Sequence, residues 1–297
     1  MTKGDAARDA PTRMTTAIGG GVIAGWHWSQ AGKPPLLFCH ATGFCASVYK
    51  QMLQALSADF DVFAIDLRGH GRTRLDANPD HLRSWNIYAR DIAEFLNFQN
   101  KTNWTLAGHS MGAIAATMAA RGRTDIASLK LIEPVAMPPL LALAAKMPIW
   151  SFYAQRLPMV QQAARRRSAW PDRAAVEATY ARKRLFAAWA DGVLSDYLED
   201  GLCDIADGVS LACAPRWEAA TFAAQANPFW AALAHAPAPV SVLAADHPST
   251  TAPGAAQRRF ARFGAAVALV GGVSHLAPME DPDLAARFVL GARFDAR

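Results

Sequence analysis

The sequence predicts an α/β fold: a mostly parallel central sheet flanked by helices, interrupted by an all-helical insertion. Three observations predict it. Short apolar runs alternate with amphipathic stretches over residues 14–132 and again over 240–290. Four of the apolar runs end at a polar or reactive residue, His40, Asp66, Ser110 and Glu133. Between the two regions, residues 138–234 keep helical spacing broken by prolines and lose the alternation. Strand–helix alternation gives parallel pairing with helices on both faces. Such sheets bind ligands beyond the carboxyl ends of their strands, so four reactive residues in that position mark a candidate site.

Taken in order, residues 14–28 read as a hairpin turning at Gly19-Gly20-Gly21. Residues 36–39 form a buried strand ending at His40, and the small-residue loop Ala41-Thr42-Gly43-Phe44 follows. Tyr49, Met52, Leu53 and Leu56 share one helical face. Residues 60–65 are a second strand, ending at Asp66 before the loop Arg68-Gly69-His70-Gly71. Residues 86–98 are an amphipathic helix, and 129–132 a strand ending at Glu133-Pro134. After the insertion come strands at 240–244 and 266–270, helices at 253–263 and 282–290, and the loop Gly271-Gly272-Val273-Ser274-His275. The expected organisation is a core of residues 1–137 and 235–297 with a helical cap of 138–234. About a dozen residues at the N-terminus read as a loose tail.

The stretch that organises the rest is residues 104–112, WTLAGHSMG. An apolar strand end runs into Gly108, Ser110 and Gly112, the G-x-S-x-G pattern, and then into an Ala-rich helix over 113–121. A strand, a tight turn and a helix are what a nucleophile elbow requires. Side chains at 108 or 112 would collide with the strand or the helix. The turn lifts Ser110 Oγ above the sheet and aims the Met111 N–H, at the helix start, where an oxyanion would form.

Composition narrows the classes. The chain has 297 residues, 52% of them hydrophobic and 19% charged, enough for a sizeable core. A net charge of +5 without a long Lys/Arg run gives no sign of nucleic acid as partner. Four cysteines without a CxxC pair or zinc spacing read as reduced thiols, which suits a cytoplasmic setting. No metal or cofactor is called for, and no apolar run reaches membrane-spanning length. In the insertion, a basic half (Arg156, Arg165–Arg167, Arg173, Arg182–Arg184) precedes an acidic half from Asp191 to Asp207. The two are expected to pair as solvated helix faces.

These pieces together resemble the α/β-hydrolase fold family over nearly the whole chain. His40-Ala41-Thr42-Gly43-Phe44 is similar to its oxyanion loop and Asp66-Leu67-Arg68-Gly69-His70-Gly71 to its D-x-R-G-x-G turn. Gly108-His109-Ser110-Met111-Gly112 is similar to its nucleophile elbow and Gly272-Val273-Ser274-His275 to its histidine loop. The resemblance implies Ser110 as nucleophile, His275 as its base and the Met111 N–H as one oxyanion donor. It implies a second donor from the loop after His40, with Thr42 preferred; Ala41 stands where the family usually has glycine, so the donor shifts by up to two positions. His40, His70 and His109 are expected to brace loops. The triad acid has two candidates. Asp246 follows the strand at 240–244, although the family's usual acid position falls on Pro248. Glu133, at the end of the strand after the elbow helix, resembles the acid of dehalogenase and epoxide-hydrolase relatives and is preferred.

Those relatives use an Asp nucleophile. A serine does not readily displace halide to form an alkyl ester, whereas it forms an acyl ester. The resemblance therefore implies a serine hydrolase acting on a carboxylic ester through an acyl-enzyme, with a small-molecule substrate carrying an apolar part. Aromatic residues of the insertion, among them Trp150, Phe152, Tyr153 and Trp189, are candidates to line its pocket. Two alternatives remain: C–C bond or lactone hydrolysis on the same triad, and a ligand-binding member of the fold without turnover.

Overall fold

The computed structural model describes residues 10–246, 249, 251 and 254–294. Residues 1–9 of the expected tail, loop residues His247 and Pro248, and the expected helix start at Pro253 lie outside them. The strands are β1 (Thr12–Ile18), β2 (Gly21–Trp28), β3 (Pro35–Cys39), β4 (Asp61–Ile65), β5 (Trp104–His109), β6 (Ile126–Ile132), β7 (Ala169–Trp170), β8 (Leu202–Ile205), β9 (Gly208–Leu211), β10 (Val240–Ala245) and β11 (Ala266–Val270). Eight of them form one sheet in the order β1-β2-β4-β3-β5-β6-β10-β11. The pairs from β4 to β11 are parallel, and only β1–β2 and β2–β4 are antiparallel. The sheet is the mostly parallel one that the alternation predicts.

Helices α1 (Lys50–Leu56), α2 (Asn86–Gln99) and α3 (Met111–Ala120) follow β3, β4 and β5. Between β6 and β10 lie α4 (Pro139–Ala144), α5 (Trp150–Ala154), α6 (Pro158–Ala164), α7 (Arg173–Ala181), α8 (Arg184–Ala187), α9 (Val193–Asp200), α10 (Pro215–Ala223) and α11 (Phe229–Ala234). The chain closes with α12 (Ala255–Arg262), α13 (Ala277–Glu280) and α14 (Pro282–Val289).

The central strands are buried on both faces, and the period of two divides them between two cores. Leu37, Phe63, Ile65 and Leu106 face one side, with α2 and α3. Leu36, Phe38, Val62, Ala64 and Ala107 face the other, with α1 and α14. α3 is buried along its whole length, which is why it is built from Ala, Gly, Met, Ile and Thr with no charge.

Two expectations about the insertion need correction. It is not all-helical: β7, β9 and β8 form a separate three-stranded antiparallel sheet. Strands of two to four residues are too short to show periodicity; the legible signal was Asp207-Gly208 between apolar residues, a hairpin pattern. Nor do the basic and acidic halves mainly pair with each other. Arg173–Asp204 does, but Asp200 takes Arg13 and Arg72 from the core, and Glu199 takes Arg13 and Lys50. Asp200 also accepts the Trp26 indole N–H at 2.9 Å.

Asp200 is 1% exposed and ties α9 to β1, β2 and the loop after β4. Asp200→Ala leaves three donors without their acceptor. We expect a loss of about 1–3 kcal/mol, read as a lower urea midpoint.

Candidate active site

The elbow is fixed by what cannot fit. A Cβ on Gly112 would lie 2.2 Å from the Cys39 carbonyl oxygen and 2.5 Å from that of His40. A Cβ on Gly108 would lie 2.6 Å from the Gly112 carbonyl carbon. The turn between them forces Ser110 to φ 56° and ψ −118°, outside the regions a serine ordinarily occupies. Ser110 therefore sits at the end of β5 with its side chain over the carboxyl edge of the sheet.

Three of the sequence candidates meet there. Ser110 Oγ lies 3.1 Å from His275 Nε2, and His275 Nδ1 lies 3.0 Å from Glu133 Oε2. The other Glu133 oxygen accepts the Ala245 N–H at 2.7 Å and the Ser249 hydroxyl at 2.5 Å. Glu133 is 0% exposed and Ser110 7%. Burial pushes the Glu133 carboxyl upward, but the bonds from His275, Ser249 and Ala245 outweigh it and hold the group below its ordinary value. Asp246 is not part of this arrangement. Its side chain is exposed just beyond β10, and among the described residues it makes no bond to His275. The backbone of Glu133 is left-handed, with φ 46°, directly after the last residue of β6.

The loop after β3 supplies the facing wall. The Ala41 N–H donates to the Tyr49 hydroxyl at 3.1 Å, and the Gly43 N–H to His70 Nε2 at 3.1 Å. Thr42 lies between them, and among the described residues its N–H has no acceptor. A glycine is required at 43: φ is +78°, and a Cβ would lie 2.5 Å from Glu218 Oε1.

Three buried histidines brace these loops. The bonds fix each tautomer. His40 accepts the Leu67 N–H at Nε2 and donates from Nδ1 to the Ala41 carbonyl. His70 accepts from Gly43 at Nε2 and donates from Nδ1 to the Arg68 carbonyl. His109 donates from Nε2 to the His275 carbonyl at 2.7 Å and accepts the Tyr49 hydroxyl at Nδ1 at 2.8 Å. Desolvation holds all three neutral, lowering His70 to about 4 and His109 to about 3. Tyr49 therefore links the histidine loop to the loop after β3. Sequence reasoning placed it on an apolar helix face and missed its hydroxyl. It also missed Ser249, and Glu280, whose carboxylate receives the Ser274 N–H at 2.6 Å and steadies the histidine loop.

Asp66 works similarly from the end of β4, accepting the N–H groups of Ala46 and Arg72. Among the described residues no group of three His, Cys, Asp or Glu side chains is arranged to hold a metal ion. No helix among them is long and apolar enough to cross a membrane. Of the aromatic candidates, Trp189 is buried and packs on Phe44, whereas Phe152 and Tyr153 are exposed, 54% and 56%.

The family follows from this arrangement together with a direct match. The alpha/beta hydrolase family model fits residues 36–288. The chain belongs to that family. It is similar to the pimeloyl-[acyl-carrier protein] methyl ester esterase of Vibrio atlanticus, 32% identical over 42% of this chain and 44% of the relative. It is also similar to the 2-(acetamidomethylene)succinate hydrolase of Mesorhizobium japonicum, 33% identical over 33% of this chain and 34% of the relative. The similarity therefore spans less than half the length of either relative. Two solved structures share the fold over nearly the whole chain. An E-2-(acetamidomethylene)succinate hydrolase has a TM-score of 0.75 at 20% identity, covering 94% of this chain and 97% of its own. The thioesterase domain from the curacin biosynthetic pathway has a TM-score of 0.75 at 18% identity, covering 95% and 100%.

The neutral histidines carry a pH signature. Unfolded, each imidazole titrates near 6.5; folded, His70 waits until about 4 and His109 until about 3. Between those limits the unfolded chain binds more protons, so these sites cost stability as pH falls below about 6.5. Asp66, raised by burial from 3.8 to about 7, acts in the opposite sense, opposing folding as pH rises through that window. His70→Gln should therefore lower Tm at neutral pH yet flatten its fall between pH 6.5 and 4; an unchanged slope would mean His70 is charged in the fold.

Proposed function

We propose that the chain hydrolyses a carboxylic ester through an acyl-enzyme on Ser110, with His275 as base and Glu133 as the acid that orients it. The observation that carries this reading is the run of two bonds, 3.1 Å from Ser110 to His275 and 3.0 Å from His275 to Glu133. In the proposed cycle Ser110 Oγ attacks the ester carbonyl as its proton passes to His275 Nε2. Glu133 accepts the Nδ1–H bond throughout, which keeps Nε2 free as acceptor and stabilises the imidazolium. The N–H groups of Met111 and Thr42 receive the oxyanion. Collapse expels the alcohol, which takes the proton from Nε2. Water then repeats the sequence on the acyl-enzyme and releases the acid and free Ser110. These steps use no cofactor.

The relatives named as a methyl ester esterase and as a 2-(acetamidomethylene)succinate hydrolase, and the fold neighbour named as a thioesterase domain, support acyl transfer to water as the class. The substrate in this reading is a small molecule with an apolar part. Residues 138–234 act as the cap that shapes its pocket, and four free thiols suit a cytoplasmic setting.

Ser110→Ala should abolish hydrolysis of p-nitrophenyl esters and labelling by a fluorophosphonate probe, with an unchanged melt. His275→Ala should lose a comparable factor, and the double variant little more, because members of a triad act as a unit. Glu133→Gln should cost about 10⁴-fold in kcat, since an amide no longer fixes the tautomer. Asp246→Asn should cost little. A large loss at Asp246 with a small one at Glu133 would reassign the acid.

A further inference from the structure

Residues 138–159 run along the outside of the molecule with their large apolar side chains turned outward. Leu140 is 81% exposed, Leu143 61%, Met147 59%, Ile149 59%, Phe152 54% and Met159 57%. What this strap buries is small: Ala145 at 7% and Ala154 at 0%. A single exposed leucine needs no account, but a contiguous apolar run marks an interaction surface.

The charge on the same stretch has one sign. Between Glu133 and Asp172 there is no Asp or Glu, while Lys146, Arg156, Arg165, Arg166 and Arg167 all fall there. Arg166 is committed to Glu218 at 3.0 Å. Among the described residues Lys146, Arg156, Arg165 and Arg167 form no ion pair, and Arg156 lies 3.5 Å over the Phe152 ring. The acid that shares a cleft with Trp150, Gln155 and Arg165 is Asp80, and it is paired with Arg216 at 3.1 Å.

These features choose among occupants. A second copy docked about a two-fold axis presents the same patch to itself and sets cation against cation. An acidic protein would answer the charge, but protein–protein surfaces of that transient kind are no more apolar than the rest of a protein surface. Long aliphatic and aromatic groups interleaved with Lys and Arg are what the boundary of an anionic bilayer accepts: the apolar groups enter it, and the cations meet the headgroups. We propose that residues 138–159, with the neighbouring Arg165 and Arg167, dock the protein on an anionic lipid surface without spanning it. The proposal does not rest on the ester chemistry and stands or falls apart from it.

The test is co-sedimentation of the full chain with vesicles of phosphatidylcholine alone and of phosphatidylcholine mixed equally with phosphatidylglycerol. Binding is expected on the mixed vesicles, weakening with salt, and little on the neutral ones. Leu140→Ser/Leu143→Ser/Met147→Ser should cut the partition about tenfold or more, through lost apolar burial. Lys146→Gln/Arg156→Gln should cut it about tenfold at low salt. All five side chains are exposed, so melting curves should not change. Failure to bind either vesicle overturns the proposal. So does binding that survives the serine variant undiminished, which would point to charge alone and an acidic protein partner. A concentration-dependent dimer abolished by the serine variant, without vesicle binding, would assign the face to a second copy.

Discussion

The first turn of α3 lies so close to the end of β3 that not even a methyl group fits between them. The Cys39 and His40 carbonyls occupy the space a side chain at 112 would need. This one close approach sets the rest of the site. It puts the start of the elbow helix beside the loop after β3, the two segments that carry the proposed Met111 and Thr42 donors. It requires glycine again at 108, where the strand passes the helix. It leaves Ser110 the only route between them, through a backbone conformation that serine rarely adopts. Such strain persists only where the surroundings over-determine it.

What over-determines it is a set of neutral, fully committed imidazoles. A buried charged histidine would need a counter-charge, and a buried neutral one needs only a donor and an acceptor. His40, His70 and His109 each have both. The result ties three loops together through side chains that do not titrate near neutral pH. His109 is the link between the two proposed halves of the chemistry. One of its nitrogens holds the His275 backbone; the other reaches Ala41 through Tyr49. Displacement of the base would therefore be felt at the loop of the proposed oxyanion donors, and the reverse.

The parts of this that could be read from the sequence are the ones set by short-range sterics. Gly108, Gly112 and the residue between them announce a turn whatever the rest of the chain does, and His275 follows from its own loop. The strands were legible because residues buried on both faces leave continuous apolar runs. Glu133 against Asp246 was not settled at that level, because the difference is made across strands: β6 pairs with β10, and that pairing carries the Ala245 N–H to the Glu133 carboxylate. Tyr49 was opaque for a related reason. Its ring packs as any apolar residue would, on Phe38, and only its hydroxyl is specific. The charge-segregated insertion misled because local pattern suggested local pairing, while Asp200 finds Arg13 and Arg72 from far along the chain.

Two non-glycine residues of the site, Ser110 and Glu133, have positive φ, and both follow directly on parallel strands. Each would cost about 1–3 kcal/mol if left to itself. Each is also held by the neighbouring strand one step past its own. The Ser110 N–H donates to the Ile132 carbonyl at 3.0 Å, and the Glu133 N–H to the Leu243 carbonyl at 2.8 Å. The ladder thus continues through the strained residue before the chain turns away. That arrangement fixes the backbone of both residues from one side while the tight turn bends it from the other. The sheet order makes the two bonds consecutive: β5 leans on β6, and β6 on β10. The spacing between the serine and the carboxylate is therefore a property of the sheet itself, and the imidazole of His275 needs only to be lowered into a gap of fixed width. A parallel sheet supplies such a gap at its carboxyl edge because adjacent strands end side by side there, with their departing loops all on the same side.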